Sequence, residues 1–288
     1  MSTPVGIYIH VPFCAKKCPY CDFYSVNYTR AAALTYAEAV CRAIAAHPAG
    51  ICADTVYFGG GTPSLLPADC LRRILEALRA RFCLQEPEIT LEVNPLTATD
   101  AALEAWRTLG INRLSFGMQS CVDEELRLLG RRHTAEQACT RVRRAAALGF
   151  GNLSCDLMLG TAAQTCESLA VSLACMTALP IQHISAYMLS VEAGTPYDCT
   201  EMREQVASGD QAAALYVQMA EALEQAGFAQ YEISNFARPG YESRHNLKYW
   251  QCVDYLGIGP AAHGCFGGVG MRHLRILMRL RQIRLCVR

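Results

Sequence analysis

The feature that most constrains this chain is a strand–helix alternation with a long period. Six apolar, strand-like runs occur at 5–10 (VGIYIH), 54–59 (DTVYFG), 88–93 (EITLEV), 112–117 (NRLSFG), 152–158 (NLSCDLM) and 183–189 (HISAYML). Helical patterns separate them near 30–47, 67–82, 99–109, 134–148 and 164–178, several closed by Gly. The strands recur about every 30 to 45 residues, the length of a βα repeat and too long for hairpins. Repeated βα units imply parallel strands joined by right-handed crossovers. The expected fold class is therefore α/β: a partial (β/α)6 barrel, open on one side, with a doubly wound open sheet as the alternative. A longer helix is expected over 201–226, followed by the strand-like AQYEISNFA.

Composition supports a buried core, since 52% of residues are hydrophobic and only 18% charged. Lys+Arg and Asp+Glu each number 26, so no overall field favours nucleic acid as a partner. The start, MSTPVGIYIH, lacks the basic and apolar regions of a secretory signal, and no run approaches 18 apolar residues. No membrane span is expected, and the cytoplasm is the expected compartment. The 16 cysteines do not read as a disulfide framework, which belongs to short secreted chains. Outside the opening cluster they are expected to pack as small reduced hydrophobes.

Polar residues gather at or just after the C-terminal ends of the predicted strands: the cysteine cluster, GGGTP, EVNP, GMQS and DLMLG. In (β/α) barrels that mouth carries the chemistry. The last eighteen residues differ, with six Arg, no acid and no clean apolar face. Residues 271–288 are expected to form a basic tail, non-native or disordered, with a membrane-surface helix as the alternative.

Cys14, Cys18 and Cys21 form a C-x3-C-x2-C cluster just after the first strand. Thiolates select zinc, copper(I) or iron–sulfur clusters. Zinc would need a fourth ligand, for which His10 or Asp22 is the candidate, but no second cysteine knuckle is visible. A [4Fe–4S] cluster on three thiolates leaves one iron open for an exchangeable ligand.

This spacing resembles the hallmark of the radical S-adenosylmethionine (SAM) superfamily. The resemblance implies that SAM chelates the open iron and is cleaved reductively, the cofactors carrying the radical chemistry. It also implies SAM contacts from Tyr8 and Tyr20 beside the cluster, Gly60, Gly61 and Thr62 of FGGGTPS, Glu92 of LEVNP, Gln119 of SFGMQS, Arg131 of LGRRH and Asp156 of CDLMLG. Arg131 is suited to a carboxylate, and Asp156 to the ribose hydroxyls.

Within that superfamily the chain resembles the oxygen-independent coproporphyrinogen III oxidase group over about residues 5–265. The oxidase itself carries a fourth cysteine where this chain has Phe23, and a longer segment before its first cysteine. The stretch 231–264 instead matches the heme-chaperone (HemW-like) branch, including H-N-x-x-Y-W as His245, Asn246, Tyr249 and Trp250. A neutral imidazole is a good axial ligand for heme iron, and aromatic rings offer flat apolar surface. The resemblance implies a chaperone that transfers heme to an acceptor protein, carries a [4Fe–4S] cluster with exchangeable SAM, and draws on a reductant for the cluster. Oxidative decarboxylation of porphyrinogen propionates is the alternative. Three parts are expected: a radical SAM core at 1–228, the HNxxYW region and the start of an incomplete C-terminal part at 229–270, and the tail at 271–288.

Overall fold

The computed structural model describes residues 3–272, so the tail expected at 271–288 lies outside the described residues except for the backbone of its first two. The chain begins with strand β1 (Val5–Val11). Two short strands, β2 (Phe13–Cys14) and β3 (Val26–Asn27), pair parallel and bracket the cysteine loop before helix α1 (Arg30–Ala46). Alternation follows through β4 (Cys52–Gly60), α2 (Ala68–Arg81), β5 (Cys83–Val93), α3 (Asp100–Thr108) and β6 (Arg113–Gln119). Next come α4 (Asp123–Leu128), α5 (Ala135–Ala147), β7 (Leu153–Leu159), α6 (Cys166–Thr177) and β8 (His183–Met188).

The remaining elements are α7 (Thr200–Gln205), α8 (Gly209–Gln225), β9 (Ala229–Gln230), β10 (Asn235–Ala237) and α9 (Arg244–Trp250). Strands β11 (Tyr255–Ile258), β12 (His263–Phe266) and β13 (Val269–Arg272) complete the described chain.

All six expected strands and the five expected helices between them are present. The sheet runs β13-β12-β11-β1-β4-β5-β6-β7-β8-β10-β9, and β1, β4, β5, β6, β7 and β8 are parallel in chain order. A doubly wound sheet reverses direction beside its first strand; this one does not, so the barrel-type order holds. The later strands extend both ends: β11 pairs parallel with β1, and β10 pairs antiparallel with β8.

The helix expected over 201–226 is instead two helices. Between them the Ala207 N–H donates to the Gly160 carbonyl, and Ser208 is extended before a left-handed Gly209. That capture by the loop after β7 outweighs the helix propensity of the segment.

The strands alternate with a sense that matters for function. Ile7, Ile9, Val56, Phe58, Leu91, Leu114, Phe116, Leu157 and Ile184 belong to the buried core packed with the helices. The intervening positions put Tyr8, Tyr57, Glu92, Arg113, His183 and Ser185 around an internal cavity of about 190 Å3. The outer face of the sheet therefore supplies the hydrophobic core, and the inner face is polar.

Candidate functional site

The cysteine loop is tied to its neighbours before any ligand is considered. The Gly61 and Thr62 N–H groups donate to the Val11 and Phe13 carbonyls at 2.8 and 2.7 Å. The Thr62 hydroxyl donates to Cys14 Sγ at 3.7 Å, and Arg131 Nη1 donates to Cys18 Sγ at 3.6 Å. The Tyr197 N–H donates to the Pro19 carbonyl while its hydroxyl donates to the Leu128 carbonyl, and its ring lies 6.0 Å from that of Tyr20. All three thiols are half-buried.

His10, the candidate fourth zinc ligand, is committed elsewhere. Its Nδ1 pairs with the Tyr8 hydroxyl and its Nε2 with the Tyr24 carbonyl, both at 3.1 Å. Asp22 lies on the exposed side of the loop. Through these two bonds His10 braces the loop. Phe23 is 68% exposed at the place where the oxidase carries its fourth cysteine.

Around the loop the structure gathers the other residues named from the sequence. Glu92 accepts from the Tyr57 hydroxyl at 3.0 Å and from the Gly60 N–H at 3.2 Å. Burial, then the nearby Asp156 carboxylate, pushes Glu92 up to about 7. Asp156 accepts from the Ser115 hydroxyl at 3.0 Å and is itself pushed up to about 6, chiefly by burial. Arg131 Nη2 donates to the Gly117 carbonyl at 2.7 Å.

Several features fit a polar cofactor held at this mouth. The Gln119 Oε1 and Arg131 Nε atoms are buried without partners, a costly state unless a ligand satisfies them. Gln119 also has φ +72°, a left-handed backbone that a non-glycine residue adopts at a cost. Gly60 sits at φ +112°, where a Cβ would lie 2.6 Å from the His10 ring. A Cβ at Gly117 would come within 3.1 Å of both Arg131 and Gln119. Three thiols, a guanidinium, an unpaired amide oxygen and two buried carboxyls form a donor set able to hold an iron–sulfur cluster and a zwitterionic nucleoside.

The HNxxYW segment is α9, capped by Ser243, whose hydroxyl accepts the Asn246 N–H. His245 is 1% exposed, and its ring stacks on Tyr57 with centroids 5.2 Å apart. Its Nδ1 pairs with the Thr55 hydroxyl and its Nε2 with the Tyr249 hydroxyl, each at 2.8 Å. Burial, reinforced by Lys248 and Arg113, drives the imidazole down to about 3, so it is neutral. Asn246 Nδ2 reaches Tyr231 and Glu232 at 3.4 and 3.3 Å. Tyr249, which lines the cavity, is 40% exposed, and Trp250 is 52% exposed. Lys248 ties the helix down, donating to the Pro4 carbonyl at 2.7 Å and pairing with Asp54 at 2.8 Å.

The two groups meet in the internal cavity, which Tyr8, Tyr57 and Glu92 share with His245, Asn246 and Tyr249. Tyr57, Thr55, Arg113 and His183 were not identified from sequence as site residues. Their signal was the period-2 placement of polar side chains within apolar strands. Arg113 is 2% exposed with an unpartnered Nε, and it faces the same cavity.

The radical SAM superfamily profile matches residues 8–171. The chain is 40% identical to the mitochondrial radical S-adenosyl methionine domain-containing protein 1 of Mus musculus, over 92% of this chain and 61% of that protein. It is 36% identical to the heme chaperone HemW of Escherichia coli, covering 91% of this chain and 70% of that protein. A Synechocystis heme chaperone HemW is 39% identical, with 92% and 67% covered. Among solved structures, the Escherichia coli coproporphyrinogen III oxidase, a radical SAM enzyme, matches with TM-score 0.84 at 26% identity, over 97% of this chain and 69% of that one. The chain thus spans about three fifths to seven tenths of the length of these proteins. Among the described residues, no helix is long and apolar enough to cross a membrane.

Proposed function

From the premise that this chain belongs to the radical SAM superfamily, and within it to the heme chaperone HemW family, we propose that it is the cluster- and SAM-binding part of a heme chaperone. Cys14, Cys18 and Cys21 hold a [4Fe–4S] cluster whose open iron takes SAM. When bound, the cluster and SAM supply an exchangeable, redox-active centre. This chain's own residues do the positioning. Arg131 and Gln119 offer their unpaired atoms to the polar ends of SAM, Asp156 accepts from ribose hydroxyls, and Tyr8 and Tyr20 wall the site.

The observation that carries the heme reading is the His245–Tyr249 pair. It puts a neutral imidazole behind the partly exposed phenol of Tyr249. A cavity of about 190 Å3 is smaller than the ~300–1,000 Å3 of ordinary drug-sized sites. A macrocycle would therefore sit mostly outside this cavity, on its Tyr249 side. Ligation by His245 requires the Tyr249 hydroxyl to leave Nε2, which makes heme binding a gated event. From this position the heme passes to an acceptor protein.

The test is heme binding to the anaerobically cluster-reconstituted chain, quantified as pyridine haemochrome after dialysis. Stoichiometric binding that collapses in His245→Ala, with iron retained, supports the reading. Equal binding by both proteins removes His245 as the ligand.

The likeness to coproporphyrinogen III oxidase favours a second reading, decarboxylation of porphyrinogen propionates. Phe23 in place of the fourth cysteine speaks against it. Porphyrinogen turnover by the reconstituted protein, with SAM consumed in proportion, would reverse the order of the two readings.

A further inference from the structure

A second group of thiols lies between the C-terminal end of β6 and the helix layer. Cys121 follows β6, Cys139 lies on α5 and Cys175 on α6, and their three Sγ atoms are all within 4.8 Å of one another. Among the described residues this is the tightest convergence of potential metal ligands, and Cys139 and Cys175 approach to 3.3 Å. Nothing in the chemistry at the mouth uses it.

We propose that Cys121, Cys139 and Cys175 form a separate three-thiolate site for a thiophilic metal ion, zinc(II) with water as its fourth ligand or copper(I). Tetrahedral zinc with Zn–S near 2.3 Å sets its thiolates about 3.8 Å apart. Cys139 and Cys175 at 3.3 Å are slightly closer than that, and every pair stays within 4.8 Å, so loading needs side-chain adjustments of up to about 1 Å. The donors are all soft sulfur, the type that selects these ions over magnesium or calcium.

The site is held in place before metal arrives. The Cys121 N–H donates to Ser172 Oγ on α6 at 3.0 Å, and Ser172 Oγ lies 3.3 Å from Ser120 Oγ. The Ser120 hydroxyl in turn donates to the buried Glu125 carboxylate at 2.7 Å. This network fixes Cys121 against the helix that carries Cys175, and a capping box starts both α5 and α6. Cys121 and Cys175 are half-buried, which leaves an ion a path inward, while Cys139 forms the floor. Arg143 lies close enough to act on the charge of both helical thiols, offsetting an anionic complex. The fully buried Cys155 of β7 lies nearby but outside the group.

The experiment uses the full chain with its cluster reconstituted under strict anaerobiosis. Zinc(II), and in a separate arm copper(I), is offered at one equivalent against a chromophoric chelator, and bound metal is counted alongside iron. Wild type is expected to retain one equivalent of one ion, the retaining arm naming it. Cys139→Ser and the half-buried Cys175→Ala should each weaken retention at least tenfold, with iron content and far-ultraviolet circular dichroism unchanged. Bound ion should also shield Cys121 and Cys175 from iodoacetamide, read by peptide mass spectrometry. Equal retention by wild type and variants, no retention of either ion, or a Cys139–Cys175 disulfide in place of the thiols would each overturn the proposal.

Discussion

The cysteine loop and the α9 helix face one interior, yet they stand in opposite states of completion. Around the loop, polar groups are left open: Gln119 Oε1 and Arg131 Nε have no partner, and the Gln119 backbone is left-handed. Around α9 the key groups are closed: both His245 ring nitrogens, the Asn246 amide and the Lys248 ammonium are engaged. Under the proposed reading, the first region is completed by exchangeable SAM. The second is self-satisfied and must open before it can bind. A cofactor and a passing cargo would produce this difference.

The contrast breaks most visibly at the cysteines. Replacing any one of Cys14, Cys18 or Cys21 by Ala should abolish cluster iron, measured chemically after reconstitution, whereas His245→Ala should retain it in full. Loss of iron in His245→Ala would show the regions to be one cooperative unit.

Gly60→Ala comes next. The left-handed backbone and the approach to the His10 ring should together cost about 3 kcal/mol of stability, measured by anaerobic denaturant unfolding. A near-neutral result would mean that this edge of the mouth yields easily.

Glu92 sharpens the comparison through pH. Its folded pKa of about 7 lies above the ordinary 4.5, so its contribution is fully present below about pH 4.5 and is lost as pH rises through 7. Without SAM, Glu92→Gln should therefore be more stable than wild type at pH 8, by about 3 kcal/mol, and equal to it near pH 4.5. His245 has the opposite sign: with its pKa lowered to about 3, its contribution is present above about pH 6.5 and lost as pH falls toward 3. His245→Gln should flatten that acid limb.

The smallest expected effect falls on the gate. Tyr249→Phe removes one hydrogen bond, costing about 1 kcal/mol, and frees Nε2. Heme affinity should rise several-fold; a fall would make the Tyr249 hydroxyl part of the binding surface.

How much of this could be read from the sequence depended on distance along the chain. The cluster spacing spans eight residues, and the six strands announce themselves by local apolar runs, so both were legible. The polar inner face was present as alternation in VGIYIH and DTVYFG, but it acquires meaning only once the strands are registered against one another. Contacts such as Thr55 with His245 or Cys139 with Cys175 join separate elements, and nothing local marks them. The break between α7 and α8 arises from a backbone capture by Gly160, which helix propensity does not register.

The pairing of β11 with β1 has a consequence for synthesis on the ribosome. One edge of β1 is taken by β4, but the other waits for Tyr255–Ile258, about 245 residues later. At ~5–20 residues per second that is roughly 12 to 50 s with an apolar strand edge bare on the nascent chain. Of the parallel strands described, β1 therefore comes early in the chain, yet one of its edges is paired only near the end of the described residues.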